Sequence, residues 1–274
     1  MEKLQKKASI LIEVLPYIQK YSGKIFVIKY GGNAMIDPEI KKSVIGDIAL
    51  LKHIGINPIV VHGGGPEISK EMQKANLKPK FVNGLRYTDK KTMEIVRKVS
   101  IKINKEIQDM LKNEKCKAEN LTIGLLKTKI KNKDLGLVGE IIKVDKNKLL
   151  QKIKQGIIPI VSPVGHYGKN YTNINADTVA TKIAEAVKAE KLTILTDVEG
   201  VYENGKLISH LSIADAQKGI KSGVINKGMI PKVLGCVNAV QKGVGKAHLI
   251  DGTIRHSLLI EFFTDKGIGT EIVK

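Results

Sequence analysis

Lysine, aspartate and glycine recur at positions where they could bind and neutralise phosphate. Lys29 ends the apolar run Ile25-Phe26-Val27-Ile28 and is followed by Tyr30 and the pair Gly31-Gly32. A second run, Pro58-Ile59-Val60-Val61, ends in His62-Gly63-Gly64-Gly65-Pro66. A β-branched run that stops at consecutive glycines and leads into a helix-like stretch is a strand–loop–helix whose backbone a ligand can approach closely. N–H groups at such a loop, aimed along a helix N-terminus, bind anions and phosphates. Lys29 adds a point charge to that donor array.

The second half carries its own polar cluster. Asn173-Ile174-Asn175-Ala176-Asp177 opens an apolar-periodic helix. Capping explains either Asn175 or Asp177, but not two Asn and an Asp packed together. Lys232 follows Pro231 in the first turn of another helix, where the dipole disfavours a cation. A lysine aimed at a bound anion would have a reason to stand there; a surface lysine would merely tolerate the position. Thr196-Asp197-Val198-Glu199-Gly200 follows a strand and reads either as a nucleotide-edge loop or as a plain β-turn.

Common signatures do not account for these loops. G-x-x-x-x-G-K-[ST] and G-x-G-x-x-G are both absent. His62-Gly63-Gly64-Gly65 resembles the oxyanion loop of lipases, but the chain has no G-x-S-x-G nucleophile elbow.

The elements that must position these residues alternate between strand and helix. An amphipathic helix with Leu4, Ala8, Leu11, Leu15 and Ile18 on one face is expected to kink at Pro16 and stop at Gly23. A strand over 24–30, a helix over 38–54, a strand over 57–61 and a helix from Pro66 follow. Asp89 suits the N-cap of a long helix reaching Lys112. Runs at 121–126, 138–144 and 157–161 read as strands. A helix from Ala176 to Glu190 leads into a strand at 192–196. Pro231 starts a helix, and a strand at 247–250 precedes a short final helix. Such alternation implies a largely parallel sheet with helices on both faces.

Composition narrows the function. A chain of 274 residues with 42% hydrophobic content suits one large α/β domain or two lobes sharing a sheet. No apolar run approaches a membrane span, and the first residues lack a signal-peptide pattern. Cys116 and Cys236 are too few for a disulfide framework, so a reducing compartment is expected. The net charge of +19 invites a nucleic-acid reading. The only arginines are Arg86, Arg97 and Arg255, the chain is 4% aromatic with no Trp, and the lysines are dispersed. Base readout favours arginine forks, and strand binding favours aromatic platforms, so nucleic acid is disfavoured as a partner. Arg86, in the polar loop Asn83-Gly84-Leu85-Arg86-Tyr87-Thr88-Asp89, is either an ordinary surface residue or a fork for a carboxylate.

Six segments in order carry a family resemblance: Lys29-Tyr30-Gly31-Gly32-Asn33-Ala34-Met35, Val61-His62-Gly63-Gly64-Gly65-Pro66, Asn83-Gly84-Leu85-Arg86, Asn173-Ile174-Asn175-Ala176-Asp177, Thr196-Asp197-Val198-Glu199-Gly200-Val201 and Gly228-Met229-Ile230-Pro231-Lys232-Val233. Together they resemble the amino acid kinase family, in the branch that phosphorylates N-acetyl-L-glutamate during arginine synthesis. The resemblance implies a three-layer α/β/α sandwich with an open, mostly parallel eight-stranded sheet. It implies a helix at 1–22 used in oligomerisation, an N-lobe at 23–172 for the acetylated amino acid and dimerisation, and a C-lobe at 173–274 for ATP. By the same resemblance Lys29 and Lys232 contact the transferring phosphoryl, and Asp177 orients them. Gly31 and Gly32, with Gly64 and Gly65, offer N–H groups to its oxygens. Arg86 and Asn173 hold the substrate, and Asp197 lies at the nucleotide. Mg²⁺ arrives with ATP and needs no dedicated protein metal site. Lys227, and Thr172 between Tyr171 and Asn173, depart from the family pattern without removing any of these groups.

The resemblance extends to regulation. The N-terminal helix and the stretch from His256 to Thr270 resemble arginine-inhibited members, in which three dimers join as a hexameric ring. Tyr17, Lys206, His256, Glu261 and Gly267 would then form an arginine site, with Glu261 taking the guanidinium. A PII-type signalling protein is a further partner the resemblance admits. The implied location is the cytoplasm, or the plastid stroma if organelle-encoded, with no membrane contact. Other readings stay open on sequence alone. They are a kinase for N-acetyl-α-aminoadipate or a carrier-linked analogue from lysine synthesis, one methylene away and separated by about 1–3 kcal/mol, and an arginine-sensing protein without catalysis.

Overall fold

A computed structural model describes residues 1–225 and 228–274; Lys227, one of the two departures from the family pattern, lies outside the described residues. The chain runs α1 (Glu2–Tyr21), β1 (Ile25–Tyr30), α2 (Pro38–His53), β2 (Asn57–His62), α3 (Gly65–Lys74), β3 (Phe81–Val82), β4 (Leu85–Arg86), α4 (Lys90–Asn113), β5 (Ala118–Asn120), β6 (Leu126–Ile130), β7 (Gly139–Val144), α5 (Lys146–Lys154) and β8 (Ile158–Val161). It continues with β9 (Val164–Tyr167), β10 (Asn170–Asn173), α6 (Ala176–Val187), β11 (Lys191–Thr196), β12 (Tyr202–Glu203), β13 (Lys206–Leu207), β14 (His210–Ser212), α7 (Ile213–Lys221), α8 (Ile230–Gln241), β15 (Lys246–Asp251), α9 (Ser257–Phe263) and β16 (Thr270–Val273).

The main sheet has eight strands in the order β14-β16-β15-β11-β1-β2-β8-β5. All neighbours are parallel except β15 and β16. The expected open, mostly parallel eight-stranded α/β/α arrangement is therefore present. A second sheet, in the order β10-β9-β6-β7, is assembled beside it.

Strand alternation divides the core. Phe26, Ile28 and Tyr30 of β1 pack on one face with α2, α3, α4 and α9, through residues such as Val44, Ile68, Val96 and Phe262. Val27 points to the other face, among Val179, Ile183, Val233 and Val237 of α6 and α8. Side chains along a strand alternate faces, so Lys29 shares the face of Val27 and meets α6 and α8.

Caps set the helix starts. Asp37 accepts from the Glu39 and Ile40 N–H groups, and Asp89 accepts from Thr92 N–H at 2.7 Å. Asn175 accepts from Thr178 N–H at 3.0 Å. Asn175 is thus the cap of α6, and Asp177 is released for another role.

The sequence reading differs in several places. Residues 121–125 form a turn, not a strand: Asn120 Oδ1 accepts from Thr122 N–H, and Gly124 takes φ +71°. The hairpins β9–β10 and β12–β13, strand β14, helix α7 and strand β16 were not anticipated. They are short, and pairing partners rather than local pattern hold the strands. Helix α6 ends at Val187, where Lys188 turns left-handed at φ +51°.

Candidate functional site

Three elements bring together residues far apart in sequence. Lys29 ends β1, Asp177 lies in the first turn of α6, and Lys232 lies in the first turn of α8. Lys232 Nζ donates to Asp177 Oδ2 at 2.8 Å, and Lys29 Nζ stands 3.2 Å from Asp177 Oδ1. Lys29 Nζ also donates to the Leu195 carbonyl at 3.3 Å, which fixes its reach. Lys29 is 8% exposed. Burial disfavours the Asp177 carboxylate, but the Lys29 and Lys232 charges and their hydrogen bonds outweigh it and hold the carboxyl below its usual range. The arrangement is a carboxylate bracketed by two ammonium groups, each of which carries three N–H donors.

The glycine loops close around this triad. Gly31 and Gly63 come so near that a Cβ on Gly31 would lie 3.4 Å from Gly63 Cα. Gly32 adopts φ +67°, and a Cβ there would sit 2.7 Å from Asp197 Oδ1. That conformation favours glycine, and a side chain there would have to displace the Asp197 carboxylate. Gly64 caps α3, so the N–H groups at Gly64 and Gly65 begin a helix and present its positive end. A cavity of about 280 Å³ is lined by Lys29, Gly64, Gly65, Arg86, Asn173 and Asp177. A second cavity, of about 560 Å³, is lined by Lys232, Pro231 and Gly228, and Asp177 borders both. Asp197 lies at the exposed rim, beside Gly32.

Arg86 is 8% exposed, so the surface reading fails. Its Nη2 donates to the Gly65 carbonyl at 2.9 Å and to Ser69 Oγ at 2.8 Å, and Nη1 meets Met72 Sδ at 3.3 Å. The guanidinium stacks on Phe81 with its carbon 4.7 Å from the ring centroid. A guanidinium has five N–H donors, so the fork is anchored on α3 and still has donors for a ligand. Asn173 is the last residue of β10, and its Nδ2 donates to Thr88 Oγ1 at 3.0 Å. Thr172 is fully buried, and its neighbour Tyr171 lies under the Arg97 guanidinium, 3.8 Å from its carbon. The structure thus gathers Lys29, Gly32, Gly64, Gly65, Arg86, Asn173, Asp177 and Lys232 around adjoining cavities, with Gly31 against Lys29 and Asp197 against Gly32.

The expected arginine residues are less united. Tyr17 donates its hydroxyl to Asp265, and its ring meets Phe263 edge-on at 6.2 Å, which joins α1 to the α9 segment. Glu261 Oε2 accepts from Ile268 N–H at 2.8 Å, and Gly267 at φ +59° would place a Cβ 2.7 Å from that oxygen. His256 turns away: its N–H donates to Ser43 Oγ at 2.7 Å, and its Nδ1 pairs with Asp47 Oδ1 at 2.7 Å. The histidine against Glu261 is His248, with Nδ1 at 2.6 Å from Oε1. Lys206 stands exposed on the β12–β13 hairpin, paired in register with Glu203.

Sequence reasoning missed Ser69, Phe81, Thr88, His248 and Lys191. Thr88 sits inside a polar segment the sequence had marked, and His248 is a polar residue within an apolar strand run. Ser69 and Phe81 carry no local signal.

Comparison with known proteins agrees with this geometry. The sequence pattern of the amino acid kinase family matches residues 24–251. The acetylglutamate kinase of Caldanaerobacter subterraneus subsp. tengcongensis is 53% identical, with 98% of this chain and 93% of that protein covered. The acetylglutamate kinase of Caldicellulosiruptor saccharolyticus is 51% identical, with 99% and 98% covered. Among solved structures, N-acetylglutamate synthase from Neisseria gonorrhoeae, complexed with coenzyme A and N-acetyl-glutamate, superposes with a TM-score of 0.89 at 25% identity. That match takes in 97% of this chain and 63% of the synthase. With its two glycine loops, its lysine-bracketed aspartate and relatives sharing half its residues over nearly its whole length, this chain belongs to the amino acid kinase family.

Proposed function

We propose that this chain transfers the γ-phosphoryl group of ATP to the side-chain carboxylate of N-acetyl-L-glutamate, forming an acyl phosphate. The observation that carries the reading is the Asp177 carboxylate held between Lys29 and Lys232 at 3.2 and 2.8 Å. The acceptor is a carboxylate, already ionised at neutral pH, so no general base is needed. The requirement is neutralisation of charge spread over the transferring phosphoryl. Lys29 and Lys232 supply it, from β1 and α8, while Asp177 stays ionised and fixes where both ammonium groups point. The N–H groups of the Gly31-Gly32 and Gly64-Gly65 loops face the phosphoryl oxygens. Arg86 and Asn173 hold the α-carboxylate and the acetamido end. Asp197, beside Gly32, serves the nucleotide end. A divalent cation suits this donor set as a companion of the nucleotide phosphates, because Asp177 is already committed to its lysines; Mg²⁺ would add neutralising charge there.

Regulation by L-arginine belongs to the same reading. Helix α1 exposes Leu4, Ile10, Leu11, Ile12 and Leu15. A helix of that length needs an apolar partner. We infer that neighbouring copies supply it, joining three dimers as a hexamer, and that arginine acts at the α1–α9 junction near Tyr17, Glu261 and Gly267. The enzyme would work in the cytoplasm; among the described residues no helix is long and apolar enough to cross a membrane.

The test is ADP release coupled to hydroxylamine trapping, with N-acetyl-L-glutamate and N-acetyl-L-α-aminoadipate in parallel. Hydroxamate from the glutamate derivative supports the reading. Preference for the aminoadipate derivative moves the chain to lysine synthesis, and no hydroxamate from folded protein refutes the kinase.

A further inference from the structure

Thr88 follows Arg86 by two residues and is fully buried. Its backbone is clamped: Thr88 N–H donates to the Leu135 carbonyl at 3.1 Å, and its carbonyl accepts from Leu137 N–H at 2.6 Å. Gly136 lies opposite at φ +66°, and a Cβ there would strike the Thr88 carbonyl oxygen. The Thr88 hydroxyl touches both segments that face the cavity. Its Oγ1 is 2.8 Å from the Arg86 carbonyl oxygen and 3.0 Å from the Asn173 side-chain amide.

These contacts determine an orientation. A carbonyl oxygen can only accept, and a hydroxyl has one proton. That proton is committed to Arg86, so toward Asn173 the hydroxyl oxygen can only accept. Asn173 must therefore give its NH₂ to Thr88 and turn its carbonyl Oδ1 elsewhere. The bonding chain thus resolves the usual oxygen–nitrogen ambiguity of an asparagine. Asn173 lines the cavity, and among the described residues no donor meets its Oδ1.

We infer that Thr88 is a specificity-positioning residue: its hydroxyl locks the Asn173 amide so that the cavity is offered an acceptor, selecting substrates that carry an N–H on the α-position over isosteres that lack it. The inference rests on the proposed function. A site built to hydrogen-bond a donor rejects an analogue without it more strongly than an apolar pocket rejects a methylene, because its own polar group is left unpaired. Thr88 acts through Asn173 and touches no reacting atom.

The test compares N-acetyl-L-glutamate with its ester isostere, 2-acetoxyglutarate, in which oxygen replaces the α-N–H. Acceptor-dependent ADP release, without hydroxylamine because it would cleave the ester directly, is followed for the wild type, Thr88→Ser, Thr88→Val and Thr88→Ala. The wild type is expected to favour the amide by about 10- to 100-fold in kcat/KM. Thr88→Ser keeps that preference. Thr88→Val and Thr88→Ala lower it by about tenfold, mainly through the amide's KM, with the KM for ATP unchanged. A merely structural role would depress amide, ester and ATP use together, and that outcome overturns the inference. So does a wild-type preference retained in Thr88→Val and Thr88→Ala. If Thr88→Val does not fold, the contrast of Ser with Ala decides. A wild type inactive on both acceptors sinks the proposed function and this inference with it; an active wild type with an unmoved preference sinks this inference alone.

Discussion

Asp177 and Glu261 are both carboxylates kept ionised against burial, and they use their neighbours in opposite ways. Asp177 faces two lysines and stays a fifth exposed at its side chain, with a cavity on each side. The lysines keep donors free, so the cluster can accept a phosphoryl group. Glu261 has Oε1 against His248 and Oε2 against Ile268 N–H, and is 9% exposed. Burial pushes the Glu261 carboxyl up, but the His248 and Ile268 bonds and the Lys191 charge outweigh it and pull it below its usual range. His248 is driven the other way, toward the neutral form, by burial. Lys191 lies beneath, 4.9 and 5.0 Å from the Tyr21 and Phe262 ring centroids. One cluster borders two cavities with lysine donors to spare; the other is packed under α9, its carboxylate oxygens already bonded and His248 Nε2 left 3.7 Å from Glu271 Oε1 without a hydrogen bond among the described residues. A buried acid beside cations is thus not itself evidence of catalysis; vacant donors facing a cavity are what distinguish the two.

Four substitutions break or sharpen that contrast. The largest effect is expected at the open cluster. Lys232→Ala should lower kcat by roughly 10³-fold while the KM for N-acetyl-L-glutamate moves little, since the charge matters most in the transition state. A change confined to KM in steady-state assays would place Lys232 in ground-state binding instead. At the closed cluster, Glu261→Ala should cost about 3 kcal/mol of unfolding free energy, because a buried network loses its central acceptor. Denaturant titration reads this, and a loss under about 0.5 kcal/mol would show that Glu261 is not structural. Arg86→Lys should raise the KM for the acetylated amino acid about tenfold with a smaller change in kcat, because lysine lacks the fork and the Phe81 stack. An unchanged KM would remove Arg86 from the substrate.

The smallest effect concerns Lys191. Burial lowers its ammonium from 10.5 to about 8, against the opposing Glu271 and Glu261 charges. Below pH 8 the group is charged in both states and the full cost is present. Between pH 8 and 10.5 the unfolded chain binds the proton and the folded chain does not, so stability rises with pH. The wild type should therefore gain about 1 kcal/mol per pH unit relative to Lys191→Met between pH 8 and 10. A flat difference across that range would mean Lys191 keeps its proton.

Much of the site was legible because its residues are announced locally. Consecutive glycines after β-branched runs mark close-approach loops, and a lysine in the first turn of α8 contradicts the helix dipole unless an anion is near. Those signals marked Lys29, the glycine pairs and Lys232, and the ordered motifs added Asp177 and Arg86. Asp177 competed with Asn175 for the role of cap, and only the hydrogen bond from Thr178 N–H to Asn175 separated them. The arginine segment was harder. His256 and His248 are both polar residues near Glu261 in sequence, and nothing local reveals which one turns inward. Strand β15 places His248 beneath α9, whereas the left-handed backbone at His256 sends its imidazole to Asp47 of α2.

The sequence by itself determined the parallel α/β architecture, the two glycine loops and the residue types able to neutralise phosphate, because periodicity, glycine and charge act over a few residues. The tertiary structure decided which of those residues meet. The period-2 face of β1 aims Lys29 toward α6 and α8, and the sheet order sets β1 beside β11 so that Lys29 reaches the Leu195 carbonyl. Asp177 and Lys232 are 55 residues apart in the chain and 2.8 Å apart in space. That distance follows from how two helices pack on one sheet, which no local pattern encodes.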